Sequence, residues 1–343
     1  MKNEKHNFSR ALFLLPIVFV VLTAGCKPSN KNRQQGQETA INIDRFEEDI
    51  FSINLYHLAD SIGYLQEKYP VFFPLFTNKI IEIGNPGTED ITPGLIAFVS
   101  DFTIYKVNKR VKEVFPSLNE LSITLSDAFG QYQSDFPEKP VPHIVSFISG
   151  FNQSVVTADS LLAISLDKYL GTDDEFYVLL YPPVPVYLRR VMHPGKIAPD
   201  ALLAWMVTEF PYTPQTDNLL SQMIFNGRAQ YYVQHLMPEV SDTLLWGFTS
   251  QQMDFCYEYE KRMWEYLIGN KKLFITDGFS INQFISEAPF TKDFSQESPG
   301  RAVIWIGYRI VSSYMKKNKD VTFRELMEET DYQKVLNLSR YNP

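Results

Sequence analysis

Five histidines occur, and none of His57, His143, His193 or His235 has another histidine within one helical turn, so the HExxH spacing that sets two imidazoles on one helix face is missing. His6 belongs to the extreme amino terminus. His193 stands close to Arg189 and Arg190, which disfavours a metal cation there. His235 closes a helical stretch, where partial positive charge is favoured, and this assigns it a structural role. No GxSxG elbow, phosphate-cradling glycine loop or EF-hand spacing is present, and Asp173, Asp174 and Glu175 read as a solvated turn. Two carboxylates draw more interest. Glu260 falls inside the stripe Met253, Cys256, Glu260, Met263, Leu267, with spacings of 3, 4, 3 and 4, so it is expected to be buried and to need a partner. Arg301, opening the next strong helix, is the candidate; a structural ion pair is the first reading and a catalytic acid the alternative. Glu209 is the candidate base of a hydrolase with an unrecognised metal site. Asn226, Arg228 and Arg301 would be polar contacts in a groove between the helices of the second half, suited to a peptide or a glycan. No cofactor is expected.

The elements that must position these groups are mostly helical. Leu58, Ile62, Leu65 and Tyr69 recur at spacings of three and four, as do Ile104, Val107, Val111 and Val114. Residues 143–149 (HIVSFIS), 154–157 (SVVT) and 161–166 (LLAISL) are short, β-branched and separated by turn residues, and predict a small antiparallel sheet. Helices then resume after YPPVPVY: one near Pro199 that Pro211 stops, one from Pro214 to before Pro238, one from about Ser250 to Ile268, and one from about Pro299 to Lys317. The expected fold is α+β, mostly α-helical, with the small sheet between helical lobes.

Composition bounds the environment. The chain has 343 residues, 45% of them apolar and 14% aromatic, so it can bury a large core. A net charge of -8 argues against nucleic acid as a partner. Lys2, Lys5 and Arg10 precede an apolar run, ALFLLPIVFVVLTA, from Ala11 to Ala24, followed by Gly25 and Cys26. This is the pattern of a signal peptide; 14 residues fall short of the roughly 20 that a spanning helix needs. LTAGC (Leu22 to Cys26) resembles the lipobox of bacterial lipoproteins, with Thr23 where Leu is usual. The resemblance implies cleavage before Cys26 and lipidation of its thiol. Residues 1–25 are thus expected to be a signal peptide, 26–40 a polar tether, and 41–343 one globular domain. The tether lacks the acidic cluster that resembles a surface-export signal, so the anchored protein is expected to face the periplasm. Cys256, the remaining thiol, suits a buried, inert position.

Two resemblances sharpen this picture. An edge sheet followed by two helices is similar to the build of gluzincin zinc proteases, whose ligands come from HExxH on the first helix and a Glu on the second. Here the first candidate helix reads ALLAWMVTEF, without histidine, and Asn226 stands where the second helix would carry its Glu. That implies a degenerate zincin-like core without its metal. Residues 225–242 (FNGRAQYYVQHLMPEVSD), 253–268 (MDFCYEYEKRMWEYLI), the segment 273–318 through APF and ESPGR, the closing FRELMEETDYQKVLNLSRYNP and the opening INIDRFEEDIF together resemble the gliding-motility lipoprotein GldB family of the Bacteroidota. The resemblance implies a membrane-anchored accessory protein of gliding, or of the associated envelope secretion machinery. It would hold the membrane through Cys26 and other envelope proteins through its surface, acting by contact and not by turnover.

Overall fold

Alternation along the short middle strands gives the sheet two apolar faces, and the helices assemble on both. In a computed structural model the described residues are 40–343 other than 90. The expected signal peptide, Cys26 and all of the tether but Ala40 lie outside them. The strands are β1 (Ile43–Arg45), β2 (His143–Phe147), β3 (Val155–Ala158) and β4 (Leu161–Ser165), in the order β1-β2-β4-β3. The three predicted strands are present, but the sheet is mixed and not antiparallel: β1 and β4 both run parallel to β2, and only β3 opposes β4. Gly150 and Phe151, both at positive φ, begin the turn after β2. β4 reaches the β2 edge only after β3, so the pairing between them is a crossover that local turn signals do not reveal.

Successive residues of β2 and β4 feed opposite layers. Val145, Phe147, Leu161 and Ala163 face an amino-terminal lobe built on Phe46, Leu58, Leu65, Phe72 and Phe76. Ile144, Leu162 and Ile164 face the larger lobe. In the first lobe, helix α1 (Phe46–Ser52) follows β1 directly, and the Phe46 ring meets Tyr69 edge-on at 5.1 Å and Phe72 at 5.0 Å. Burying one such ring contributes about 2–3 kcal/mol.

The larger lobe contains α2 (Asn119–Asp135), α3 (Ile197–Glu209), α4 (Leu219–Leu236), α5 (Ser250–Glu258), α6 (Glu260–Gly269), α7 (Ala302–Lys317) and α8 (Tyr332–Ser339). Helix α4 starts at Leu219 and not at Pro214, because Asn218 caps it by accepting from the Ser221 amide at 2.9 Å. The expected helix from Ser250 to Ile268 is two helices that meet at Tyr259. Thr249 and Gln252 form a capping box at the start of the first. Helix α7 begins at Ala302, since Arg301 adopts a left-handed conformation with φ +59°. Helices α4 and α7 pack most closely of all. Gly227 and Gly307 stand at their contact, and a Cβ on either would collide with the backbone of the other helix.

Candidate functional site

The five candidate polar residues are all engaged, and their bonding partners do not overlap. Glu209, at the end of α3, accepts from Lys139 Nζ at 3.1 Å and lies 3.5 Å from the Tyr132 hydroxyl. Burial and the Glu209 charge push the Tyr132 hydroxyl pKa well up, so it remains a hydrogen-bond donor. Asn226, inside α4, turns back to donate to the Gln222 carbonyl at 2.8 Å. Arg228 is buried at 2% exposure, between the rings of Phe225 and Tyr332. Its Nη1 donates to the carbonyls of Leu326 and Glu329, which end the helix Phe323–Glu328. A cation at a helix carboxyl end is favourable, and here it locks a late helix onto α4. Burial lowers the Arg228 pKa, and its Nε has no partner among the described residues.

Glu260 has its expected partner type but not the expected partner. Its Oε1 accepts from Arg309 Nε at 2.9 Å and from the Tyr341 hydroxyl at 2.7 Å. Arg301 instead pairs with Glu287 at 2.8 Å. The break at Tyr259 and the left-handed Arg301 account for the difference, since each re-aims a helix start that continuous periodicity does not show. The carboxylate near Cys256 adds to burial in pushing that thiol's pKa up, and Cys256 is a fully buried free cysteine.

The histidines are likewise placed by structure. His235 Nε2 lies 3.0 Å from Asp135 Oδ2, which also accepts from Tyr232, and its ring stacks on Phe323 at 3.9 Å. His143 pairs with Asp44 across β1 and β2. Burial, with Lys196 nearby, lowers the His193 pKa. Among the described residues no group of three or more His, Cys, Asp or Glu side chains is placed to hold a metal ion. Nor is any helix among them long and apolar enough to cross a membrane.

Three buried carboxylates escaped the reading of side-chain spacing, and the first corrects it: Asp174, expected in a solvated turn, is buried and accepts from Arg110 Nε at 2.8 Å. Glu47 is fully buried, held by Arg45 Nε at 2.7 Å and by the Ser146 hydroxyl at 2.8 Å. Asp167 is fully buried as well, and accepts from the amides of Phe151 at 2.6 Å and Ser149 at 3.2 Å and from the Ser165 hydroxyl. Glu47 shares the buried face of α1 with Phe46 and Ile50, a helix of seven residues that is too short to show a period, and Asp167 is bonded by a turn that only the fold assembles.

A cleft of about 320 Å³ opens beside the α5–α6 break. Tyr259 stacks on Phe255 at 4.7 Å, and the Arg262 guanidinium lies over the Tyr259 ring. Opposite, the Tyr266 hydroxyl donates to Asp293 at 2.9 Å, and its ring meets Phe294 edge-on. Such a wall can stack a planar or ring-shaped group and offers charge of both signs at its rim.

The chain matches the family described as gliding motility protein GldB over residues 27–343. It belongs to that family. The matched span covers every candidate site residue except Cys26. No curated protein and no solved structure matches the chain.

Proposed function

We propose that this member of the family is a lipid-anchored accessory protein facing the periplasm, part of a gliding machinery or of the secretion assembly associated with it. It acts by contact and performs no turnover of its own. Membership of the gliding motility family across residues 27–343 carries the reading. The commitment of Glu209, Arg228 and Glu260 to bonds that tie elements together supports a non-catalytic role. In this reading the core is a zincin-like scaffold without its metal: α3 has no histidine, and Asn226 spends its amide on the Gln222 carbonyl. Crosslinking in intact envelopes, followed by capture of the tagged protein, tests the proposal. Recovery of gliding or secretion components is expected; their absence, under conditions that recover a known envelope pair, overturns it.

The aromatic cleft favours a second reading, a peptide- or glycan-binding lipoprotein. Saturable thermal stabilisation by a peptidoglycan fragment, abolished by Tyr259→Ala, would establish it, and no shift from peptides or glycans would remove it.

A further inference from the structure

Between Asp174 and the helix α3, the chain forms a bare apolar tip. Val178 is 51% exposed, Leu179 73%, Tyr181 100% and Val186 71%. These are four of the 17 large apolar side chains exposed among the described residues, gathered within nine positions. The base of the tip is fixed. The buried Tyr177 hydroxyl donates to the Asp167 carbonyl at 3.0 Å and accepts from the Leu170 amide at 2.8 Å, while the Tyr177 carbonyl accepts from the Val184 amide at 2.9 Å. Pro182, Pro183 and Pro185 restrict the backbone of the tip and leave three positions with no N–H to desolvate. A rigid apolar projection with few bare donors loses little order on entering an apolar medium.

The charge around it is polarised. On the carboxyl side of the tip stand Arg189 and Arg190, while Lys196 is buried and paired with Asp200 at 2.8 Å; on the amino side stand Asp173, Asp174 and Glu175, of which Asp174 is held by Arg110 at 2.8 Å. Arg189 makes no ion pair among the described residues. An apolar apex with a fully exposed tyrosine above an arginine base is the order in which a bilayer interface offers acyl chains, glycerol and anionic headgroups.

We propose that the 178–186 tip is a second membrane contact, inserting Val178, Leu179, Tyr181 and Val186 into the interface of the bilayer that holds the protein. The inference rests on the anchored reading above. The segment from Cys26 to Ile41 spans at most about 50 Å, whatever its conformation. A folded body of this size is itself about 50 Å across. Faces other than the one that carries Ile41 can therefore turn to the membrane, where a tip samples the bilayer at a high effective concentration, so even a weak insertion is populated.

The test uses the full lipidated chain reconstituted in phosphatidylethanolamine and phosphatidylglycerol vesicles. Tyr181→Cys carries an environment-sensitive fluorophore; Tyr56→Cys, replacing a side chain 93% exposed in the first lobe, is the control. Cys256 is buried and does not label. Lipid-borne nitroxide is expected to quench the label at 181 several-fold more than that at 56, with iodide giving the reverse order. Adding Val178→Ser, Leu179→Ser and Val186→Ser to the Tyr181→Cys chain should abolish the difference. Equal iodide access at both positions overturns the inference, as does quenching that survives the three serines. Shielding at 181 only in intact envelopes also overturns it, in favour of a protein partner. The mass of the mature amino terminus reads the anchor separately: without acyl chains the anchored reading fails, while quenching in the vesicle-bound fraction still reports on the tip.

Discussion

Gly227 of α4 and Gly307 of α7 bring two helices backbone to backbone: a Cβ at 227 would fall on the Tyr308 amide, and one at 307 on the Met223 carbonyl. This contact joins two of the three longest helices of the larger lobe, and backbone cannot move aside as a side-chain tip can. Gly227→Ala or Gly307→Ala is therefore expected to destabilise by about 3 kcal/mol or more, at the upper end of overpacking costs. Gly130→Ala, inside α2 where a Cβ meets nothing, is expected to stabilise by about 0.5–1 kcal/mol. Denaturant unfolding of the three variants checks the contrast; equal effects would remove the helix contact as the cause.

The Glu260–Arg309 pair gives a second prediction. With the Glu260 side chain 13% exposed and the Arg309 side chain 36%, a double-mutant cycle of Glu260→Gln and Arg309→Met should yield a coupling of about 1 kcal/mol. The same cycle between Glu260 and Arg301 should yield none, because Arg301 bonds Glu287. Chemical denaturation supplies both numbers, and coupling to Arg301 would contradict the structure.

These two relationships show what was legible in the sequence. The stripes around Leu65, Val107 and Ile306 marked the helices because burial repeats with the helical period. The strands at Ile144, Val156 and Ile164 were equally plain. Strand β1 was not: three residues, Ile43–Arg45, pair with β2 about a hundred positions later, and no local pattern encodes a parallel partner. Glu260 is only partly buried, its side chain 13% exposed, where its stripe predicts burial, and its partner depends on where α7 begins. That start is set by the φ of Arg301, a backbone property that the side-chain series does not carry. The grouping of aromatic residues at the cleft was hidden for the same reason, since the helix break at Tyr259 falls inside an unbroken periodic run.

Asp167 makes the fold respond to pH. Burial pushes its carboxyl pKa above the ordinary value, against the Ser165 hydroxyl and the Phe151 and Ser149 amides that favour the anion. An acid with a raised folded pKa contributes stability that is complete below its unfolded pKa and is lost as pH rises through the folded one. Asp167→Asn does not titrate. The stability of the parent chain relative to this variant should thus be greatest in acid and narrow as pH rises above the ordinary carboxylate range. Melting curves across that range decide it: a constant gap would mean no shift, and a widening gap the opposite sign.

Glu209 offers the sharpest separation between contact and catalysis. Its side chain is 18% exposed and that of Lys139 22%, and Lys139 also lies over the Phe210 ring at 4.6 Å, so the pair ties the segment after α2 to the end of α3. If that is its whole task, Glu209→Gln keeps the hydrogen bond in weakened form and costs about 1 kcal/mol. Gliding or secretion in a strain that carries only this variant should then match the parent, provided the protein level is equal. A hydrolase using Glu209 as base behaves differently, because the amide cannot accept a proton and activity would fall by orders of magnitude with the melting temperature almost unchanged. Measuring complementation and melting temperature on the same variant separates the two outcomes. Lost function with intact stability would return Glu209 to catalysis and overturn the contact reading, whereas a small loss of stability with retained function fits a residue whose work is to hold the segment after α2 to the end of α3.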